Sequence, residues 1–173
     1  AGKSTRGASV SCEGYGYMDS GEANWVGGIV GLSQAEVRDC WAKCGLVGKS
    51  LVGGIAGEAD EVTDCRSLVT VTCEGEYVGA ILGKLTEDGT AENNVLVGSD
   101  LLAGIDGISY QEAAEPVTYR ALMALDHVPG AFQKMVITFV SDDATESREV
   151  EYNKTLREIP EVPAKEGYNG VWK

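Results

Sequence analysis

Three sets of side chains in this chain have types and spacings that could do chemistry: carboxylates, thiols and aromatic rings. The carboxylates come as Glu36, then Asp60 and Glu61, then Glu87 and Asp88, at similar places in a recurring pattern. If successive strands stack so that Glu61 meets Glu87, the two carboxylates lie about 5 Å apart, near the separation in a retaining glycosidase and near what a calcium ion bridges. Like charges at that distance repel unless they splay into water or share a cation. A solvated turn is thus the ordinary reading of Asp60, Glu61, Glu87 and Asp88, calcium is the alternative, and no other cofactor is indicated. The cysteines Cys12, Cys40, Cys44, Cys65 and Cys73 contain no Cys-x-x-Cys pair, and the single histidine, His127, lies beyond them all, which serves zinc poorly. Reduced thiols filling a core are expected, with a disulfide as the alternative. Trp25, Trp41 and Tyr77, with Tyr15 and Tyr17, offer ring faces for a sugar, although such rings more often pack structure. Ser9, Ser11, Ser109 and Ser141 have no histidine partner in a recognisable elbow, so serine hydrolase chemistry has no support.

The elements that must position these groups are repeats. Val26-Gly27-Gly28-Ile29-Val30-Gly31 returns as Val52-Gly53-Gly54-Ile55-Ala56-Gly57 and again as Val78-Gly79-Ala80-Ile81-Leu82-Gly83. A fainter copy is Ala103-Gly104-Ile105-Asp106-Gly107. Between the copies Asp39-Cys40 recurs as Asp64-Cys65, with Asn93-Asn94 near the same place, while Cys12-Glu13-Gly14 is echoed by Cys73-Glu74-Gly75. No helix follows the glycine-rich hexapeptides, so they are neither a dinucleotide fingerprint nor a phosphate loop. Short β-branched runs such as Leu68-Val69-Thr70-Val71-Thr72, bounded by Gly, Asp, Asn and Ser, specify strands and turns.

One period supplies enough chain for a circuit of two or three short strands, and successive circuits stack at about 4.8 Å. The expected fold is mostly β: a parallel β-solenoid of about four coils of 25 to 26 residues over 1–108, in which Val26, Val52 and Val78 form one ladder and Ile29, Ile55 and Ile81 another. The same logic stacks Cys40 on Cys65 and Cys12 on Cys73. The hexapeptide glycines then serve corners that need positive φ or close backbone approach.

The hexapeptide followed by Asp-Cys resembles the GLUG-type repeats of large bacterial surface proteins. That resemblance implies an extracellular β-solenoid within an adhesin or cell-wall-attached protein; Ala80 and the asparagine pair depart from it in the third copy.

Beyond residue 108 the composition changes: twenty of the 23 glycines precede it and all four prolines follow it. Residues 109–134 are expected to be a linker and short helical cap, with Thr118 as N-cap, Tyr119, Leu122, Met123 and Leu125 on one face, and Val128-Pro129-Gly130 as the stop. Over 135–173, Val136 to Val140 and Arg148 to Tyr152 alternate like two strands around Ser141-Asp142-Asp143. The run from Ile159-Pro160 through Val162-Pro163 to Gly167-Tyr168, with Trp172 after it, resembles the Listeria/Bacteroides surface repeats, which implies a small β-grasp-like module.

The 173 residues carry a net charge of −13, which argues against nucleic acid and acidic membrane surfaces as partners, and no stretch approaches the 18 apolar residues of a spanning helix. Missing catalytic constellations and the two resemblances agree on a non-enzymatic structural or adhesive segment, a stalk or binding module, of a bacterial cell-surface or secreted protein. It would be extracellular and part of a longer multidomain chain, with a host protein or glycan as partner. The alternative is an accessory region of a secreted carbohydrate-active enzyme or peptidase.

Overall fold

The structure is a computed structural model that describes residues 3–4, 9–97, 103–106, 113–141, 144–164 and 170–172. The chain divides into two compact units, Ala1–His127 and Val128–Lys173.

Unit 1 opens with the short strands β1 (Lys3–Ser4) and β2 (Ser9–Val10), followed by β3 (Glu13–Asp19). A first full circuit is β4 (Asn24–Gly27), β5 (Val30–Arg38) and β6 (Trp41–Gly48). The second is β7 (Ser50–Gly53), β8 (Ala56–Thr63), β9 (Arg66–Leu68) and β10 (Thr70–Cys73), and the third is β11 (Val78–Gly79), β12 (Leu82–Glu92) and β13 (Asn94–Val97). The strand β14 (Ala114–Pro116) follows. Corresponding strands pair in parallel to make three sheets: β4, β7 and β11 in one, β5, β8 and β12 in the next, and β6, β9, β13 and β14 in the third. This is a β-solenoid of about three turns.

The repeat fixes the register. Val26 faces Val52, which faces Val78, and Val30 faces Ala56, which faces Leu82. The amide of Ile29 donates to the carbonyl of Ile55 at 3.0 Å and that of Ile55 to Ile81 at 2.7 Å, so the isoleucines rise in one column. Gly104 takes the next place in that column, accepting from the Ile81 amide, while Ile105 bridges Leu82 and so extends the neighbouring column of Val30, Ala56 and Leu82. Ile55, Ile81 and Ile105 are fully buried in a continuous core with Val37, Val62, Ala42 and Leu96. A circuit alone would have no such interior, which is why the pattern must recur. At the two ends β1, β2 and β3, and then Ile105 and β14, pair with the outer circuits, but the described residues complete three turns rather than the four expected.

Two corners of each circuit use left-handed backbone, and neither places it on glycine. Trp25, Leu51 and Tyr77 have φ between 55° and 65°, and Ser11, Asp39, Asp64 and Asn93 have φ between 52° and 54°. Aspartate and asparagine tolerate this region best, which accounts for the second series. The hexapeptide glycines instead allow close approach. A Cβ on Gly53 would lie 1.9 Å from the carbonyl oxygen of Ala56, and one on Gly57 would lie 2.5 Å from that of Leu51.

After β14, α1 (Tyr119–Leu122) is a single turn capped by Thr118, whose hydroxyl accepts from the Ala121 amide at 3.2 Å. Leu122 is buried, but Leu125 is exposed because the helix has already ended. The expected cap over 109–134 thus reduces, among the described residues, to β14 and this turn; 107–112 lie outside the description. In unit 2 a 3-10 turn (Gly130–Gln133) leads to an antiparallel hairpin of β15 (Lys134–Val140) and β16 (Thr145–Glu151), with Phe132 and Val150 buried. Trp172 meets Phe139 edge-on at 5.1 Å and donates its indole N–H to the Pro160 carbonyl. What the described residues form is a hairpin with an extended tail, not a β-grasp sheet; Gly167 and Tyr168 lie outside the description. No helix among the described residues is long and apolar enough to cross a membrane.

Candidate functional site

Three consecutive circuits build one exposed edge. The left-handed corner residues Trp25, Leu51 and Tyr77 stack in register, because Val26, Val52 and Val78 directly after them are paired. At about 4.8 Å per circuit the two rings are about 10 Å apart along the solenoid. Beside this column, on the neighbouring sheet, run Leu32, Glu58 and Lys84, also in register. The indole N–H of Trp25 donates to Glu58 Oε2 at 2.6 Å, Glu58 Oε1 lies 3.7 Å from Lys84 Nζ, and that ammonium sits 5.3 Å over the Tyr77 ring. Trp25 and Tyr77 remain 44% and 38% exposed, so their outer surfaces are open to a ligand. Such a cation over a ring is worth about 0.5–1 kcal/mol at an exposed site, enough to orient Tyr77 without burying it. The edge therefore presents two rings flanked by an acceptor and a cation, a set that can stack on a sugar ring and hydrogen-bond its hydroxyls.

Trp41 does not join this edge. It lies on the sheet of β3, β6 and β9, is 7% exposed, and has the Arg66 guanidinium 5.9 Å from its ring. Tyr15 and Tyr17 lie on the same sheet, where the Tyr17 ring covers Gly45: a Cβ there would come within 2.7 Å of it. The Tyr15 hydroxyl donates to Glu13, and desolvation followed by that bond pushes its ionisation above the ordinary tyrosine value.

The acidic column forms differently from the expected one. Glu61 faces Glu36 on one side and Thr90 on the other, because Thr86 to Gly89 are inserted between the pairs Leu85 with Ala59 and Thr90 with Glu61. Glu87 and Asp88 consequently ride on an exposed bulge and do not share a rung with Glu61. Asp60 accepts a hydrogen bond from Thr86 at 3.0 Å, and Glu36 pairs with Arg38 at 3.4 Å. Among the described residues no group of three or more His, Cys, Asp or Glu side chains is placed to hold a metal ion.

No family model, curated protein or solved structure matches this chain. Its functional reading rests on its own residues.

Glu58 and Lys84 were missed among the candidate residues. Their signal was present: Leu32, Glu58 and Lys84 recur at the same interval as the valines, one place after each hexapeptide. Nothing in that interval says that a residue on one sheet reaches around a corner to the ring of another.

Proposed function

We propose that this chain is a non-enzymatic structural and adhesive segment of a bacterial cell-surface or secreted protein, a stalk whose aromatic corner supplies a binding face for a glycan or a host protein. The observation that carries the reading is the edge of Trp25, Glu58, Lys84 and Tyr77, which spreads exposed rings and polar groups along three circuits. Glu58 and Lys84 are each engaged by a ring and by one another, so they orient Trp25 and Tyr77. The resemblance of the hexapeptides to GLUG-type repeats supports the extracellular setting.

A glycan and host-protein array, run with and without calcium, tests this. We expect a saturable hit that weakens at least about tenfold in Trp25→Ala and Tyr77→Ala, about 1.4 kcal/mol each. Hydrolase or lyase activity that disappears in Glu61→Gln or Glu87→Gln would overturn the proposal. Binding that depends on calcium and survives loss of both rings would move the site to the carboxylates of Glu36 and Glu61.

A further inference from the structure

The cysteines contain a relationship that the repeat alone did not reveal. The Trp41 amide donates to the Cys12 carbonyl at 2.8 Å, the Arg66 amide to Cys40 at 2.8 Å, and the Val95 amide to Cys65 at 2.9 Å. Cys12, Cys40 and Cys65 therefore occupy one column with Asn94 at its end, and Cys12 does not stack on Cys73. Neighbours in such a column are one parallel-strand spacing apart, about 4.8 Å, inside the Cα range of disulfides. The pairing of Glu13 with Trp41 sets Cys12 beside Cys40 on adjacent parallel strands, so their side chains leave the sheet on the same side, and the Cys40 thiol donates to the Arg38 carbonyl at 3.2 Å. Cys44 and Cys73, by contrast, have Gly16 and Gly48 opposite them. All five residues are in the thiol form, with Cys12 partly exposed and Cys40 and Cys65 fully buried.

We infer that Cys12 and Cys40 are a redox-responsive pair, oxidised by a small organic disulfide to an intrachain bond that ties the first winding to the circuit above it. The partly exposed Cys12 thiolate attacks one sulfur of the reagent; the reagent's S–S bond breaks, one thiol leaves, and Cys12 carries the mixed disulfide. The Cys40 thiolate then attacks Cys12 Sγ, expelling the second thiol. Two S–H bonds of the protein are lost, one S–S bond forms, and two electrons pass to the reagent, which leaves as two thiols.

The environment suits those roles. Burial pushes the Cys12 thiol up, so entry is slow, whereas at Cys40 the neighbouring Cys65 thiol outweighs burial and, with the Cys12 backbone, brings the thiol down to about 7. A resolving thiol of that acidity is largely thiolate above neutrality. The Cys65 thiol, pushed up by Cys40 and by burial, stays protonated and donates to the Thr63 carbonyl at 3.3 Å.

The test uses the full chain with glutathione disulfide, followed by alkylation and peptide mapping. The expected product has lost two hydrogens, links the Cys12 and Cys40 peptides, releases two equivalents of glutathione, leaves Cys44 and Cys73 alkylated, and unfolds several degrees higher than the reduced chain. Cys12→Ser, at the partly exposed position, should keep the fold by circular dichroism and abolish the link. A mixed disulfide that persists on Cys12, a link through any other pair, or absence of reaction at Cys12 would overturn the inference.

Discussion

Asn94 shows most plainly how one side chain ends a column. Its carbonyl oxygen accepts from the Cys65 amide at 2.9 Å, and its amide nitrogen donates to the carbonyls of Val62 and Ala113 at 2.9 and 2.8 Å. A thiol at this place could not join three backbone groups at once. Asn94→Ala should therefore cost about 3 kcal/mol in urea unfolding, since buried groups left unpaired cost about 1–3 kcal/mol each. Amide exchange at Cys65 should accelerate with it, and a loss below about 1 kcal/mol would show that the column ends elsewhere. The substitution of Asn93-Asn94 for Asp-Cys was visible in the residues, and so was the reason: Asn93 takes the same left-handed corner as Asp39 and Asp64. The position of Cys12 was not visible, because its Glu-Gly neighbours match those of Cys73 while its hydrogen bonding matches that of Cys40. Trp25, Leu51 and Tyr77 hid their left-handed corners for a related reason: bulky side chains in that region cost about 1–2 kcal/mol, and only the surrounding circuits hold them there.

Among the elements, β12 departs furthest from the pattern. Its first residues keep step with β8, Leu82 opposite Ala56 and Leu85 opposite Ala59, but Thr86, Glu87, Asp88 and Gly89 together face Asp60 alone. A uniform interval between hexapeptides concealed this, whereas the longer gap from Asp64 to Asn93 than from Asp39 to Asp64 already contained the insertion. Removing Glu87, Asp88 and Gly89 leaves Thr86 to meet Asp60 and gives β12 the length of β8. The shortened chain should unfold cooperatively with stability changed by less than about 1 kcal/mol, because closing or opening a short surface loop costs little. A loss above about 2 kcal/mol would mean that the bulge itself supports the circuit. In α1 the expected amphipathic face failed for a simple reason. A single turn buries Leu122 and stops before Leu125 can share its face.

At the scale of the whole solenoid, stability resides between circuits rather than within them. Ile55 is fully buried, with Ile29 and Ile81 hydrogen-bonded to it on either side. Ile55→Ala should cost about 4 kcal/mol by chemical denaturation, in the range for large core truncations, and should loosen both neighbouring circuits in hydrogen exchange. Protection lost in one circuit alone would contradict nearest-neighbour coupling. The repeated Val, Gly and Ile were enough to determine a mostly β, parallel, stacked chain, since a period of that length with apolar residues at fixed places has no other way to bury them. The tertiary structure alone decided which carboxylates meet, which thiols share a column, and that Trp25 and Tyr77 are joined by Glu58 and Lys84 while Trp41 is buried elsewhere. The physical reason is that strand stacking copies a local pattern faithfully, whereas an inserted bulge shifts register and a corner brings together residues from different sheets, and neither relation is periodic along the chain.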